Sequence, residues 1–164
     1  MKKLLIFIIV IMLFSGCDIA NTPTSKVEDY LGRYQRLDNN VSLSYTQLSG
    51  SNDVNKDDRD KYQKLVEKQF RNLSYEVKEE VIDGNVAYVT VQVKVCNYSD
   101  VLDKYDVIDY DDIDEYHDEV IKGLEKQKEK IVYTIIFELE LNKKNKWKVS
   151  ELSLEDKDKL LGIY

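Results

Sequence analysis

An alternating run of apolar residues near the middle of the chain is the feature that most restricts its fold. Over residues 87–95, apolar side chains such as Val89 alternate with more polar ones such as Thr90. Successive side chains of a β-strand point to opposite faces, so this run predicts a strand with one buried face. The sequence Asp83-Gly84-Asn85 separates it from an earlier alternating segment, residues 73–77. Together they predict a β-hairpin.

A second hairpin is predicted near the C-terminus. Residues 131–141 are β-branched and aromatic, residues 142–145 (Asn-Lys-Lys-Asn) supply a turn, and Trp147 and Val149 begin a return strand. The solvent-facing side of residues 131–141 carries Val132, Thr134 and Ile136. Because that side is not fully polar, we expect it to be covered by the segment between the hairpins or by another molecule.

Helical periodicity marks the remaining segments. The predicted helix starts are Ser25, with Glu28 completing a capping box, then Asn55, for a helix ending near Arg71, and Ser153, for a short C-terminal helix. A weaker helical turn is predicted around Val41, Tyr45 and Leu48, and residues 100–130 read as a helical insertion with a loop at 106–112. Antiparallel hairpins with helices collected on one side predict an α+β domain with one four-stranded antiparallel sheet.

The first seventeen residues have the build of an export signal. Lys2 and Lys3 precede eleven apolar residues, 4–14, and Ser15-Gly16-Cys17 follows them. As a helix this run would span only about 16 Å, half the hydrocarbon core of a bilayer, so it predicts a secretory signal and not a membrane span. An ordinary cleaved signal followed by a chance cysteine is the alternative.

The sequence Ser15-Gly16-Cys17 resembles the lipobox of bacterial lipoproteins, although Phe14 stands where that family prefers leucine. The resemblance implies that Cys17 becomes the lipidated mature N-terminus. It divides the chain into a signal peptide, residues 1–16, a lipidated cysteine with a short tether, residues 17–24, and a single domain, residues 25–164. It also implies a location on the extracytoplasmic face of the cell membrane.

The charge of the chain restricts its partners. The net charge is −7, and removal of Lys2 and Lys3 with the signal lowers it by two, to −9. An acidic exterior argues against nucleic acid and against an anionic bilayer surface, so we expect the domain to stand off the membrane to which it is tethered. If Cys17 is lipidated, Cys96 is left alone and no disulfide within the chain can form.

A wider resemblance rests on four segments. These are Thr22-Pro23-Thr24, Val27-Glu28-Asp29-Tyr30-Leu31 with Tyr34-Gln35, residues 70–77 (Phe-Arg-Asn-Leu-Ser-Tyr-Glu-Val), and Lys146-Trp147-Lys148-Val149. They resemble a group of uncharacterised Gram-positive-type lipoproteins with the architecture of the nuclear-transport-factor-2-like superfamily. The resemblance implies a curved, cone-like sheet wrapped around helices, with a pocket. It carries no activity, because that superfamily includes enzymes, ligand carriers and interaction domains.

The candidate chemical groups are few and each has an ordinary structural interpretation. Ten carboxylates between Asp100 and Glu119, and the group Asp53, Asn55 and Asp57, lack the glycine register of a calcium loop and read as solvated faces. His117, the only histidine, is expected at the surface rather than in a zinc site or a dyad with Cys96.

Cys96 itself reads as a small half-buried residue. The tyrosines that fall on core stripes are Tyr30, Tyr34, Tyr62 and Tyr75, and packing is their first explanation. Tyrosines at the mouth of a cone could instead bind a sugar or a peptide.

These patterns favour a lipid-anchored cell-surface protein that binds a ligand or a partner in the cell envelope without catalysis. No cofactor or metal and no catalytic residue is predicted, and Cys17 is the one residue with an assigned role. The alternative is an enzyme or small-ligand carrier with a pocket inside the cone, which would require polar or titratable side chains pointing into it. The assigned inward faces are aliphatic and aromatic, which favours a filled core.

Overall fold

The fold is α+β, with N-terminal helices packed against a four-stranded antiparallel sheet and a helical insertion between its two hairpins. A computed structural model describes residues 21–38, 45–51 and 54–164. The elements, in chain order, are α1 (Pro23–Arg36), α2 (Thr46–Ser49), α3 (Lys56–Arg71), β1 (Ser74–Asp83), β2 (Val86–Cys96), α4 (Ser99–Leu102), a 3₁₀ turn (Val107–Asp109), α5 (Ile113–Lys126), β3 (Lys130–Leu141), β4 (Trp147–Val149) and α6 (Leu154–Leu161). The predicted fold class is confirmed.

The sheet has the order β1-β2-β3-β4, so each strand pairs with its neighbour in sequence. Strands β2 and β3 pair along the whole of β2, from Val86 opposite Glu140 to Cys96 opposite Lys130. A bulge between Val77 and Glu79 shifts the register of β1 against β2. The extra residue in a bulge changes which residues of a strand face each way. Glu80 therefore stands opposite the inward-facing Val89, on the helical side of the sheet.

The core lies between this sheet and the helices. The alternating run of β2 is fully buried on one face, and Ile135, Phe137 and Leu139 of β3 are buried beside it. The helices contribute Leu31 and Tyr62, which are also fully buried. Each large apolar side chain removed from water in this way stabilises the fold by about 1.5–3 kcal/mol. The buried side chains of the sheet and the helices form one apolar cluster, and the inward faces predicted to be aliphatic and aromatic belong to it.

Helix α1 begins earlier than predicted. Thr22, and not Ser25, is its N-cap: the Thr22 hydroxyl accepts from the Ser25 backbone N–H at 3.1 Å. The Ser25 hydroxyl in turn accepts from the Thr22 N–H at 3.2 Å, which completes a capping box. Pro23 occupies the first helical position, where its fixed φ suits the helix and its missing N–H costs nothing. Thr24, expected in the tether, is therefore helical.

The other two predicted caps are confirmed. The Asn55 side chain accepts from the Asp58 N–H at 2.9 Å, and α3 ends at Arg71. The Ser153 hydroxyl accepts from the Asp156 N–H at 3.1 Å at the start of α6. The weaker helical turn predicted around Val41, Tyr45 and Leu48 is present as α2, although Val41 lies outside the described residues.

The outer face of the sheet is not covered by the insertion. Helix α5 packs against α3 and α4, on the other side of the molecule. Val132 and Ile136 are consequently 52% and 59% exposed. The expectation that the insertion covers this face is wrong, because α5 presents its own apolar stripe, which includes Val120 and Leu124, to the core.

Candidate functional site

A cleft of about 270 Å³ opens between the N-terminal helices and the C-terminal helix α6. We call it the helical cleft, and it is lined by Tyr34, Gln47, Phe70, Leu154, Lys157, Leu160 and Leu161. Leu160 and Leu161 are buried, whereas Leu154 is 74% exposed. The Tyr34 ring packs against the Phe70 ring with centroids 4.8 Å apart, which joins α1 to α3 beside the cleft. The surface it offers is therefore chiefly apolar.

The polar groups that line the helical cleft already have partners. The Gln47 side-chain amide donates to Asp158 at 2.9 Å, and the Lys157 ammonium pairs with Glu151 at 2.9 Å. That ammonium holds the pKa of the Glu151 carboxyl below its usual value. The Tyr34 hydroxyl lies 3.2 Å from the Tyr30 hydroxyl. With its polar groups engaged, the helical cleft is suited to an apolar group more than to an ion.

A buried glutamine holds the end of α6, which contributes Leu160 and Leu161 to the helical cleft. Gln69 of α3 is 1% exposed, and its amide nitrogen donates to the backbone oxygens of Cys96 and Leu161 at 2.8 and 2.6 Å. Its amide oxygen accepts from the Cys96 N–H at 3.0 Å. One side chain thus ties α3 to the end of β2 and to the end of α6. Gly162 follows at a φ of +74°, a conformation that favours glycine.

His117 is buried, not at the surface as expected. It is 2% exposed on α5, and its Nδ1 lies 3.0 Å from the Tyr62 hydroxyl of α3. Its buried Nε2 has no hydrogen-bond partner within the part of the chain that the structure describes. Burial lowers the pKa of His117, although Asp58 and Asp114 act in the opposite direction. The correction follows from helical register, because position 117 falls on the same face of α5 as the buried Val120, Ile121 and Leu124.

Cys96 is a buried free thiol and forms no dyad with His117. It is 8% exposed at the end of β2, so it is more buried than expected. Among the described residues, the hydrogen-bonding partner of His117 is Tyr62 and not Cys96, so the imidazole is not placed to activate the thiol. Among residues 21–38, 45–51 and 54–164, no group of three or more His, Cys, Asp or Glu side chains could hold a metal ion.

The acidic segment forms caps and solvated faces. The Asp106 carboxylate accepts from the Ile108 N–H, and the Asp112 carboxylate accepts from the Asp114 N–H at the start of α5. Nine of its ten acidic residues are exposed and Glu119 is half-buried. The predicted solvated faces are therefore present. Of the earlier group, Asn55 and Asp57 are at the start of α3, whereas Asp53 lies outside the described residues.

The tyrosines expected in the core are there. Tyr62 is fully buried, and Tyr30, Tyr34 and Tyr75 are half-buried against the core. Sequence patterns placed Tyr34 on a packing stripe and did not connect it with the helical cleft. The cleft joins segments more than a hundred residues apart, and the sequence carries no sign of that contact beyond the apolar residues of α6.

Cys17 lies outside the described residues. Within the described part, no helix is both long and apolar enough to cross a membrane. The chain matches no protein-family model, no curated protein and no solved structure at significant similarity.

Proposed function

We propose that this protein is lipid-anchored through Cys17 to the extracytoplasmic face of the cell membrane and binds a partner there without catalysis. The lipobox-like Ser15-Gly16-Cys17 supports the anchor. The observation that carries the binding role is the helical cleft, an apolar indentation on a domain whose interior is otherwise filled. Exposed Leu154 at its edge supports the same conclusion, since a large apolar side chain in water is available to a partner.

The occupant is an apolar side chain of an envelope protein. The volume of about 270 Å³ lies just under the 300–1,000 Å³ typical of pockets that enclose a small molecule. It accommodates one large or two smaller side chains, the way an anchor residue fills a pocket at a protein interface. The polar groups that border the helical cleft already have partners, so an apolar side chain bound there would not lie against an unpaired charge.

We also propose that the α+β domain is of the nuclear-transport-factor-2-like type. Helices against one face of an antiparallel sheet agree with a nuclear-transport-factor-2-like domain of the lipoprotein type. The second candidate function, a small-ligand carrier of that superfamily, is favoured by the same apolar lining. The two candidates share their chemistry, an apolar group in the helical cleft, and differ in what carries it.

The anchor is tested by the variant Cys17→Ser in the full chain. Acylation of the thiol is the proposed attachment, and two acyl chains hold a protein stably on a bilayer. We expect the wild-type protein in the membrane fraction with an acylated N-terminus by mass spectrometry, and the variant without acyl chains. Unmodified wild-type Cys17 in mature protein would refute the anchor.

The binding role is tested by a photo-crosslinking residue, p-benzoylphenylalanine, placed at Leu154 in cells that produce the protein. Ile108, 82% exposed in the acidic segment, is the matched control position. We expect one light-dependent protein adduct from position 154 and none from position 108. A low-mass adduct at position 154 would favour the ligand carrier, and identical adducts from both positions would refute the helical cleft as the site.

A further inference from the structure

We propose that the end of the domain nearest the anchor docks on anionic lipid headgroups. This surface, which we call the basic end, consists of five lysines at the start of α1 and around the β3–β4 turn: Lys26, Lys143, Lys144, Lys146 and Lys148. The inference rests on the proposed anchor at Cys17. It adds an orientation of the domain on the membrane, which the anchor alone does not specify.

Two hydrogen bonds place the start of the described chain against the basic end. The Asn21 side-chain amide donates to the Asn145 backbone oxygen at 2.7 Å. The Trp147 backbone N–H donates to the Asn21 side-chain oxygen at 3.2 Å. Only four residue steps separate Asn21 from Cys17, which at full extension span at most about 14 Å. An acylated Cys17 therefore holds the β3–β4 turn close to the bilayer surface.

None of the five lysines of the basic end forms an ion pair with a described residue. Two carboxylates at this end are engaged: Asp29, which lines the same groove as Lys26, pairs with Arg33 at 2.6 Å, and Glu80 accepts from the Thr24 N–H and hydroxyl. Glu140 stands opposite the last of the five lysines in the β3–β4 pairing and offsets one of them. The Leu141 N–H donates to the Asn85 oxygen at 2.8 Å, so the β1–β2 turn with Asp83 lies at the same end and offsets a further lysine, which leaves the other three for a ligand.

The acidic segment lies at the opposite end of the sheet. It belongs to the insertion that leaves β2 at Cys96 and returns at Lys130, whereas the turn follows Leu141 at the other end of β3. A strand of twelve residues spans roughly 36 Å. The Debye length near physiological salt is about 8 Å, so the membrane is screened from the distant carboxylates. The charges of the basic end, and not the net charge of the chain, therefore decide how the domain interacts with the membrane.

The shape of the basic end suits a headgroup layer. A groove of about 430 Å³ between α1 and β4 is lined by Lys26, Lys146 and Lys148 together with the half-buried Trp147. Ammonium groups attract headgroup phosphates, and tryptophan, apolar with one N–H donor, prefers the boundary between water and lipid. The proposed contact through this face is the alternative to a domain that stands off the bilayer, which the net charge predicts.

Trp147, the only tryptophan, is a built-in probe of that contact. The full-length protein, extracted from membranes, is reconstituted into phosphatidylcholine vesicles with or without phosphatidylglycerol, in each case with lipids brominated near the headgroup. Bromine quenches tryptophan fluorescence only at short range. We expect quenching in the anionic vesicles that decreases at high salt, and much weaker quenching in the neutral ones.

The variant Lys143→Glu/Lys144→Glu tests the charges. Each lysine near an anionic surface contributes about fivefold to association, so losing two lowers the ratio of docked to undocked protein by roughly 25-fold or more. The matched control, Lys128→Glu/Lys130→Glu, makes the same charge change at the far end of β3, where both lysines are exposed and unpaired within the described chain. We expect the control to quench like the wild type.

Equal quenching in neutral and anionic vesicles, or an equal loss in both variants, would overturn the docking proposal. Mass spectrometry of the same preparation reports acylation of Cys17 separately. A protein without acyl chains refutes the anchor, whereas an acylated protein with charge-independent quenching refutes the basic end alone.

Discussion

Replacement of Gln69 by leucine should weaken the contact between α3, β2 and α6 and destabilise the fold. The glutamine makes three hydrogen bonds that are wholly buried, two to the backbone of Cys96 and one to the Leu161 oxygen. A buried hydrogen bond contributes about 1 kcal/mol net, and a buried donor left without a partner costs about 1–3 kcal/mol more. The Cys96 oxygen retains the Tyr98 N–H at 3.1 Å, whereas the Cys96 N–H and the Leu161 oxygen lose the partner that Gln69 supplies.

Three lost bonds and one unpaired buried donor together predict that Gln69→Leu lowers the free energy of unfolding by about 4–6 kcal/mol. The matched control is Gln35→Leu, which removes one half-buried bond from the same kind of amide to the Leu73 oxygen, 2.8 Å long. It should cost about 1 kcal/mol. Urea unfolding followed by circular dichroism measures both. A loss for Gln69→Leu no larger than that for Gln35→Leu would refute the argument from buried polar groups.

The variant Gln69→Glu keeps the prediction testable if the leucine variant fails to fold. The introduced carboxyl, when neutral, can accept from the Cys96 N–H and donate to one of the two carbonyl oxygens that the amide now serves. When ionised, it faces both oxygens without a proton, which raises its pKa above the ordinary value of about 4.3. The stability contributed by the neutral carboxyl is thus present below that value and lost as the pH rises. The deficit relative to wild type should widen between about pH 4 and pH 7.

Three further perturbations follow from the same structure. Burial lowers the pKa of His117, so the imidazole binds a proton more readily in the unfolded chain than in the folded one. The stability advantage of the wild type over His117→Phe should therefore fall as the pH drops below about 6.5. A stability difference that is independent of pH would contradict this prediction. An added Cβ at Gly162 would lie 2.0 Å from the Cys96 oxygen, whereas one at Gly84, also at positive φ, meets no atom within 4 Å. In urea unfolding, Gly84→Ala should lower the free energy of unfolding by about 1 kcal/mol, and Gly162→Ala should lower it several-fold more. Ile135 is fully buried, whereas its neighbour Ile136 is 59% exposed. Ile135→Ala should therefore lower the melting temperature by the equivalent of about 2–5 kcal/mol, and Ile136→Ala by the equivalent of under about 0.5 kcal/mol. Similar shifts for the two variants would mean that the outer face of the sheet is covered in solution.

Two predictions from local patterns succeeded and two failed for identifiable reasons. The alternation of β2 predicted the buried face, and Asn55 and Ser153 were recognised as caps from their position alone. Ser25, with Glu28 three residues on, also fits a capping box, but Thr22 followed by Pro23 starts the helix one turn earlier. A surface position is the default expectation for the lone His117, yet its register turns it into the core.

The sequence by itself determined the periods of the strands and helices, the turns and caps, and hence the α+β class with two hairpins. Those features depend on neighbours within a few residues, so local chemistry is enough to specify them. Only the tertiary structure decided that Gln69 joins three elements and that the helical cleft forms between α1, α3 and α6. It also decided that the β3–β4 turn with its lysines lies beside Asn21, while the acidic segment lies at the other end of the sheet. A net charge of −7 carries no information about where the charges lie, because that arrangement arises from the pairing of segments more than a hundred residues apart.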